Sequence, residues 1–204
     1  MKRALAWADL ELLETLGEGH SGTVRKARLR RTVPDFPAGS VVAVKTYKRW
    51  VVEEPGFMER FLREVSVARS VAHSNVLQVH GAVTDDEGKP ALVMEFFPGV
   101  ALEHELARRR MSDEPYTFDE AVRILRQIAS GLSALHKVGA VHRDVKPANI
   151  LVHDDRVVLA DFGVVQSASF PEQTSTGVFL GRSVTPRPNI CSVMVGMNRS
   201  MFMV

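Results

Sequence analysis

The chain has 204 residues, 45% of them hydrophobic, which is typical of one or one and a half globular domains. Its 26 basic and 24 acidic side chains give a formal net charge of +2, a balance that argues against a nucleic-acid partner or a membrane surface. The single cysteine, Cys191, excludes an internal disulfide bond and fits a reducing compartment.

The amino terminus carries no clear targeting segment. Its basic residues are followed by an apolar stretch that already ends at Asp9, which is too short for a signal peptide. No apolar run further along the chain is long enough to cross a bilayer. We therefore expect a cytoplasmic chain.

The first half of the chain predicts an antiparallel sheet that carries one helix. A helix is expected to start at residues 53–55, because acidic residues favour the positive end of the helix dipole and apolar residues follow at helical spacing. Alternating and β-branched apolar residues indicate the strands. These strands are expected near residues 10–17, 22–30, 40–47, 76–83 and 90–96.

The second half predicts mainly helices. Thr117 and Glu120 have the spacing of a capping box, and the apolar stripe behind them stops before Gly139. Two short strands are expected at 150–152 and 157–160. The predicted fold class is therefore α+β, with a sheet-rich part first, a helical part second and a hinge between them.

Residues 17–24 read G-x-G-x-x-G-x-V, with glycines at Gly17, Gly19 and Gly22. Glycines let a backbone turn tightly and bring its N–H groups close to phosphate oxygens. A dinucleotide-binding fold needs a helix directly after the glycines, whereas a strand is expected here. The string favours a flap that covers a nucleotide, with an ordinary turn as the alternative.

Lys45 ends the apolar strand Val41–Val44. One interpretation is a lysine whose ammonium reaches water from a strand end. The other is a cation that binds the α- and β-phosphates of a nucleotide and is held by Glu64, on the inward face of the next helix. The glycine string upstream favours the second interpretation.

The strongest pattern is a polar loop at residues 142–149, followed by Asp161-Phe162-Gly163. Asp144 suits accepting the proton of an attacking hydroxyl, and Lys146 suits placing positive charge on a moving phosphoryl group. Asn149 and Asp161 offer the oxygen ligands that magnesium prefers. We therefore expect the carboxylates of Asp144 and Asp161 to converge opposite Lys45, whereas a solvated Asp-Lys pair would not explain all four residue types.

On these motifs the chain resembles a eukaryotic-type protein kinase catalytic domain of the serine/threonine branch, over about residues 10–181. The resemblance implies a two-lobed fold, with an N-lobe at 10–97 and an incomplete C-lobe at 98–181. It also implies ATP and Mg²⁺ as cofactors. The reaction would transfer the γ-phosphoryl group of ATP to a serine or threonine hydroxyl of a protein substrate.

The resemblance implies a role for each motif residue. Asp144 would be the catalytic base, assisted by Lys146, and Lys45 would pair with Glu64. Asn149 and Asp161 would hold magnesium. Met94 would stand at the back of the adenine site, whose base would bond to backbone groups of the hinge. The residues implied to contact ATP are Leu16, Gly17, Gly19, Gly22, Val24, Ala43, Lys45, Glu95, Phe97 and Leu151.

Arg143, directly before Asp144, implies a kinase that is switched by phosphorylation of its activation loop. The candidate sites are Thr174, Ser175 and Thr176, with an ordinary polar loop as the alternative. Two other functions stay open from sequence alone. One is a catalytically dead fragment that binds a nucleotide or a partner, and the other is a small-molecule phosphotransferase.

The resemblance ends after Gly181, where the family continues with an Ala-Pro-Glu-type motif and several large helices. An alternative exon or a shifted reading frame would explain the aberrant residues 182–204. The shifted frame is our hypothesis, since reading the possible codons of residues 181–189 from each third base permits Gly-Thr-x-x-Tyr-x-Ala-Pro-Glu. We expect the apolar stripe at 121–135 to be partly uncovered, which would favour association and impair activity.

Overall fold

The computed structural model describes residues 5–33 and 36–161 of the chain. Its first part is a five-stranded antiparallel sheet with the order β1-β2-β3-β5-β4. All five predicted strands are present, with ends shifted by a few residues. The strands are β1 Leu10–Glu18, β2 Gly22–Leu29, β3 Val41–Tyr47, β4 Val79–Thr84 and β5 Pro90–Glu95.

Strand β3 lies in the middle of this sheet and explains where Lys45 points. Val42 and Val44 face one side and pack in a small core with the outer strands. Ala43 faces the other side, toward the main core of the molecule. Because side chains alternate along a strand, Lys45 lies on the same face as Ala43 and is directed into the main body of the fold.

The helix after β3 begins later than the sequence predicts. A single helical turn, α1 (Arg49–Val52), comes first, and the main helix α2 spans Phe57–Ser70. Residues 53–55 form the turn between them, because Gly56 adopts a left-handed φ of 73° and interrupts the helix. Phe57 and Phe61 of α2 then pack around Tyr47, which anchors the helix to β3.

The second part of the molecule is built from helices and a small sheet. Helix α3 spans Leu102–Met111 and helix α4 spans Phe118–Lys137. The three-stranded sheet consists of β6 (Val100–Ala101), β7 (Ile150–His153) and β8 (Arg156–Leu159). The predicted short strands at 150–152 and 157–160 are therefore present as the hairpin β7–β8.

The predicted ends of α4 are confirmed. The Thr117 hydroxyl accepts from the Glu120 N–H at 3.3 Å, and the Thr117 N–H donates to the Glu120 carboxylate at 2.7 Å. Gly139, just beyond the helix, has a φ of 75°. Capping satisfies backbone groups that a helix end would otherwise leave without partners.

Helix α4 is covered only in part within the described residues. Ile128 and Leu135 are buried, whereas Ile124 and Leu132 of the same stripe are half-buried. Phe118, at the start of the helix, is 62% exposed. None of the described helices combines the length and the apolar character that a membrane span would need.

The segment between α2 and β4 joins the sheet to the helical part. The buried Asn75 side chain donates to the Val157 carbonyl and to the Gln127 side chain, both at 2.8 Å. Backbone bonds from Leu77 to Leu159 and from Leu159 to Asn75 continue this bridge at 2.9 Å each. The bridge fixes the hairpin β7–β8 below the sheet.

Candidate active site

Lys45 forms an ion pair across the cleft between the two parts of the molecule. Its Nζ lies 2.7 Å from Oδ1 of Asp161, a residue 116 positions later in the sequence. The lysine is only 9% exposed, whereas 41% of the Asp161 side chain is exposed, so water reaches the contact from the carboxylate side. The predicted approach of Asp161 to Lys45 is thus present.

The predicted ion pair between Lys45 and Glu64 is not formed in this structure. Lys45 instead donates to Asp161, and Oε2 of Glu64 is buried with no hydrogen-bond partner among the described residues. Burial raises the pKa of Glu64 to about 7, against the opposing charges of Arg143 and Arg60. The position of α2 therefore leaves this carboxylate inside the fold but out of reach of the lysine.

The loop before β7 gathers polar side chains around Asp144. Oδ2 of Asp144 lies 2.6 Å from Nζ of Lys146 and accepts from Nδ2 of Asn149 at 2.8 Å. The same amide group donates to the Asp144 carbonyl at 2.9 Å. The Asp144 carboxylate stays partly accessible, with 24% of its side chain exposed. The loop thus holds a carboxylate in a fixed orientation at the mouth of the cleft.

The hairpin β7–β8 brings Asn149 and Asp161 to the same end of the small sheet. Ile150 pairs with Leu159, so the residues just outside this pair lie side by side. The Ala160 N–H donates to the Asn149 carbonyl at 2.9 Å. Two residues that are twelve positions apart in sequence are thereby placed at one edge, where both were predicted to hold a metal ion.

His142 connects the polar loop to this edge, a role that sequence reasoning missed. Its ring is 1% exposed, and Nε2 donates to the Ala160 carbonyl at 3.1 Å. Burial lowers the pKa of His142, so the neutral ring is favoured. The signal was the residue's position two before Asp144. The contact holds the loop against the residue that precedes Asp161.

Two residues of the site adopt left-handed backbone conformations. Arg143 has a φ of 64° and Asp161 a φ of 56°, which are unfavourable for residues with a side chain. Such conformations persist where surrounding contacts determine them, and they cluster at functional sites. Here His142 and Lys45 supply those contacts next to each strained residue.

The three glycines of the loop between β1 and β2 differ in what requires them. A Cβ added at Gly22 would lie 2.0 Å from the Thr46 carbonyl oxygen, so packing alone excludes a side chain there. Among the described residues, no heavy atom lies within 4 Å of a Cβ added at Gly17. A Cβ added at Gly19 would have one such neighbour, the Gly22 carbonyl oxygen at 3.9 Å. Protein packing does not explain Gly17 and Gly19, whereas close approach of a phosphate group would.

The residues implied to contact adenine lie on both sides of the cleft. Ala43 pairs with Met94 across β3 and β5, and both are buried. Val24 from the sheet and Leu151 from β7 are half-buried and pack against the same core. Leu16, on β1, is 45% exposed. The arrangement leaves apolar side chains above and below the hinge.

Two side chains of the hinge, Glu95 and Phe97, contact the second part of the molecule, whereas the Phe96 ring lies 4.8 Å from Nζ of Lys26 on β2. The Glu95 carboxylate accepts from Arg156 at 2.9 Å, and the Phe97 ring lies 5.2 Å from the Arg156 guanidinium. These contacts engage the side chains of Glu95 and Phe97, which fits recognition of a base by backbone groups of the hinge. They also attach the hinge to β8.

The donor set at this edge fits magnesium bound together with phosphates. No group of three or more His, Cys, Asp or Glu side chains that could hold a metal lies within residues 5–33 and 36–161. Magnesium in nucleotide sites is held by one or two carboxylates, with phosphates and water as the remaining ligands. Asp161 supplies one such carboxylate, and the side-chain amide of Asn149 adds a neutral oxygen.

A cavity of about 680 Å³ lies elsewhere, between α3, α4 and the turn of β7–β8. Its lining includes Tyr116, Ile124 and Asp155, and none of the predicted site residues. The size of this cavity therefore does not indicate where the chemistry takes place.

Some of the predicted features lie outside the described residues. They are the phosphorylation sites Thr174, Ser175 and Thr176 and the tail at 182–204.

Comparison with known proteins agrees with this geometry. A family model described as protein tyrosine and serine/threonine kinase matches residues 10–178. The serine/threonine-protein kinase PkaA of Streptomyces coelicolor is 37% identical over 179 residues, covering 83% of this chain. PknL of Mycobacterium tuberculosis, also named a serine/threonine-protein kinase, is 40% identical over 152 residues, covering 72% of this chain.

A solved structure shows a similar fold. The PknI kinase domain of Mycobacterium tuberculosis superposes with a TM-score of 0.67 at 28% identity, covering 82% of this chain and 63% of that domain. The chain spans only 32% of PkaA and 36% of PknL. Sequence match, fold and motif geometry agree, and the chain belongs to the protein tyrosine and serine/threonine kinase family.

Proposed function

We propose that this chain catalyses transfer of the γ-phosphoryl group of Mg-ATP to a serine or threonine hydroxyl of a protein. The observation that carries the proposal is the contact between Lys45 and Asp161 at 2.7 Å, formed beside the Asp144–Lys146–Asn149 cluster. In this proposal, Lys45 from the sheet faces the oxygen ligands Asn149 and Asp161 at the ends of the hairpin. The family and the names of the relatives support the same reaction.

Each side chain of the cluster has a distinct task in this reaction. Asp144 orients the substrate hydroxyl and accepts its proton, and its hydrogen bond from Asn149 holds it in place. Lys146 stabilises negative charge on the group that moves. Asn149 and Asp161 would hold magnesium. When bound, Mg-ATP supplies the phosphoryl group and the charge of the metal ion.

The sheet supplies the remaining contacts to the nucleotide in this proposal. Lys45 has three donors, so it can bind phosphate oxygens while it stays close to Asp161. Gly17 and Gly19 leave room for phosphates below the loop. Glu64 is proposed as the second carboxylate for Lys45, which requires α2 to move closer to β3.

We further propose the division of the chain and its surroundings. Residues 10–97 would be the N-lobe and residues 98–181 would belong to the C-lobe, a division that the strand ending at Glu95 and the helix starting at Leu102 support. The tail at 182–204 follows the end of the family match at residue 178. The proposed partner is a protein substrate in the cytoplasm, and the half-covered face of α4 would favour association.

The test is transfer of labelled γ-phosphate to a generic protein substrate. Asp144→Asn should lower the rate by about 10²- to 10⁴-fold, because an amide cannot accept the proton. Asp154→Asn is the matched control, since Asp154 lies in the β7–β8 turn with 89% of its side chain exposed. Equal rates for Asp144→Asn and the unmutated chain would contradict the assignment.

A second candidate is a fragment that binds a nucleotide but transfers nothing. The observation in its favour is that Glu64 and Lys45 are not paired. In that case the unmutated chain would show no transfer, yet Mg-ATP would raise its melting temperature by binding the folded state. Transfer that depends on Asp144 would exclude this candidate.

A further inference from the structure

The loop between β1 and β2 contacts α1 and Lys48, the residue before α1. The His20 ring lies 4.8 Å from the Trp50 ring, with an angle of 55° between their planes. The Lys48 N–H donates to the Ser21 carbonyl at 2.9 Å. The Lys48 ammonium also lies 3.7 Å from the Glu18 carboxylate. The loop is therefore attached to the segment directly after β3.

Helix α1 is a firm support for these contacts. Val51 is 1% exposed and packs in the main core with Phe57 and Phe61 of α2. Trp50, its neighbour, points outward and is 45% exposed. One side of the turn is thus fixed in the core, while the other presents an indole to His20.

The loop has few other contacts near its tip. Gly17 and Gly19 have open space on the side where a Cβ would stand, and a hydrogen bond of 2.9 Å from Gly19 to Gly22 closes the turn. A loop with little packing must be ordered when it binds a ligand, and that ordering weakens affinity. A contact that orders the tip beforehand removes part of this cost.

We propose that Trp50 is a positioning residue that holds the glycine loop over the nucleotide phosphates through the ring of His20. The inference deepens the proposed function, because its consequence is a change in affinity for Mg-ATP. The backbone hydrogen bond from the Lys48 N–H to the Ser21 carbonyl fixes the base of the turn, and the His20–Trp50 contact fixes its tip.

The contact itself can be measured without any nucleotide. The chain has two tryptophans, so Trp7→Phe leaves Trp50 as the single indole. The emission of Trp50 depends on what its indole touches, so it should change when the ring of His20 is removed. The Trp7→Phe chain, measured at one fixed pH, is the reference.

The comparison is His20→Asn in the Trp7→Phe background. Its Trp50 emission should shift to longer wavelength, because the indole loses the imidazole ring that lies against it and meets more water. Identical emission from the two chains would overturn the contact. The result does not depend on whether the chain binds ATP, so it is separate from the proposed function.

The consequence for binding is measured by calorimetry with Mg²⁺ and a non-hydrolysable ATP analogue. Trp50→Ala should weaken binding by about three- to tenfold, the range expected when one ordered contact is lost. Trp50→Phe keeps an aromatic ring and should stay close to the unmutated chain. Met58→Ala removes a side chain that is also 45% exposed, on α2, and should have no effect.

Equal affinities for Trp50→Ala and the unmutated chain would overturn the positioning role. A loss of affinity in Met58→Ala as large as in Trp50→Ala would also overturn it. If the unmutated chain binds no nucleotide, the proposed function fails and the positioning role fails with it. The comparison of Trp50 emission would then still report whether the loop tip touches α1.

Discussion

Glu64 is a carboxyl group whose environment opposes its charge. Its Oε2 is buried without a hydrogen-bond partner within the described residues, and burial raises its pKa from 4.5 to about 7. The unfolded chain releases this proton near pH 4.5, whereas the folded chain keeps it until about pH 7. The contribution of this group therefore favours folding at low pH and becomes unfavourable as the pH rises between these two values.

Replacing Glu64 by glutamine should remove this pH dependence. At pH 8 we expect Glu64→Gln to be more stable than the unmutated chain by about 1–2 kcal/mol, and at pH 5 the difference should shrink. Urea unfolding at both pH values measures it. Glu59→Gln, on the exposed side of the same helix, is the control and should change little at either pH. A gain that is larger at pH 5 would contradict the burial argument.

The sequence predicted correctly that Lys45 and Asp161 face the cleft, but it predicted the contacts between the cleft side chains less well. Strand alternation places Lys45 inward, and the contact with Asp161 follows from the fold. The sequence predicted an ion pair between Lys45 and Glu64 that the structure does not contain. Whether the two side chains meet depends on the distance between α2 and β3, and spacing along the chain does not encode that distance. The sequence showed His142 only as part of the polar-loop motif, because its role comes from its buried contact with Ala160.

Among the elements, α4 has the clearest sequence signal and a cap that can be tested. Thr117→Ala should lower the free energy of unfolding by about 1 kcal/mol, because the Glu120 N–H loses its acceptor. Ser133→Ala, at an exposed position within the same helix, should leave stability unchanged or raise it slightly. Denaturation in urea measures both, and equal losses would show that the cap contributes nothing specific.

The elements also show where pattern reading stops. Strands β3 and β5 were predicted because their apolar runs are short and are bounded by turn residues. The start of α2 was placed too early, because the acidic residues 53–55 resemble a helix start while Gly56 breaks the helix after them. Glycine adopts left-handed and right-handed conformations about equally well, so the sequence does not show that Gly56 interrupts the helix.

For the molecule as a whole, Asn75 is the residue that joins the two parts. Its amide bonds the β8 backbone and the Gln127 side chain of α4. A buried polar bridge of this kind gives no periodic signal in a sequence, so no prediction included it. The α+β class and the order of sheet and helices were predictable, because they depend only on local patterns.

Asn75→Ala should loosen the attachment of the hairpin to the sheet. We expect a loss of about 1–3 kcal/mol in the free energy of unfolding, because the buried Val157 carbonyl loses its donor, whereas the Gln127 side chain still accepts from the Val157 N–H. Hydrogen exchange at the Leu77 and Leu159 amides, which bridge the two parts, should accelerate more than exchange at Ala27 in the outer sheet. Uniform acceleration would indicate a general loss of stability instead of a loosened joint.

The span of 116 residues between Lys45 and Asp161 also determines when the cleft can form during synthesis. A ribosome adds about 5–20 residues per second, so Lys45 waits on the order of ten seconds before Asp161 is made. The hairpin β1–β2 and its pairing with β3 involve nearby residues and can form during that interval. The sheet can therefore form while Lys45, which is buried in the folded chain, is still exposed to water. The contact between Lys45 and Asp161 forms last.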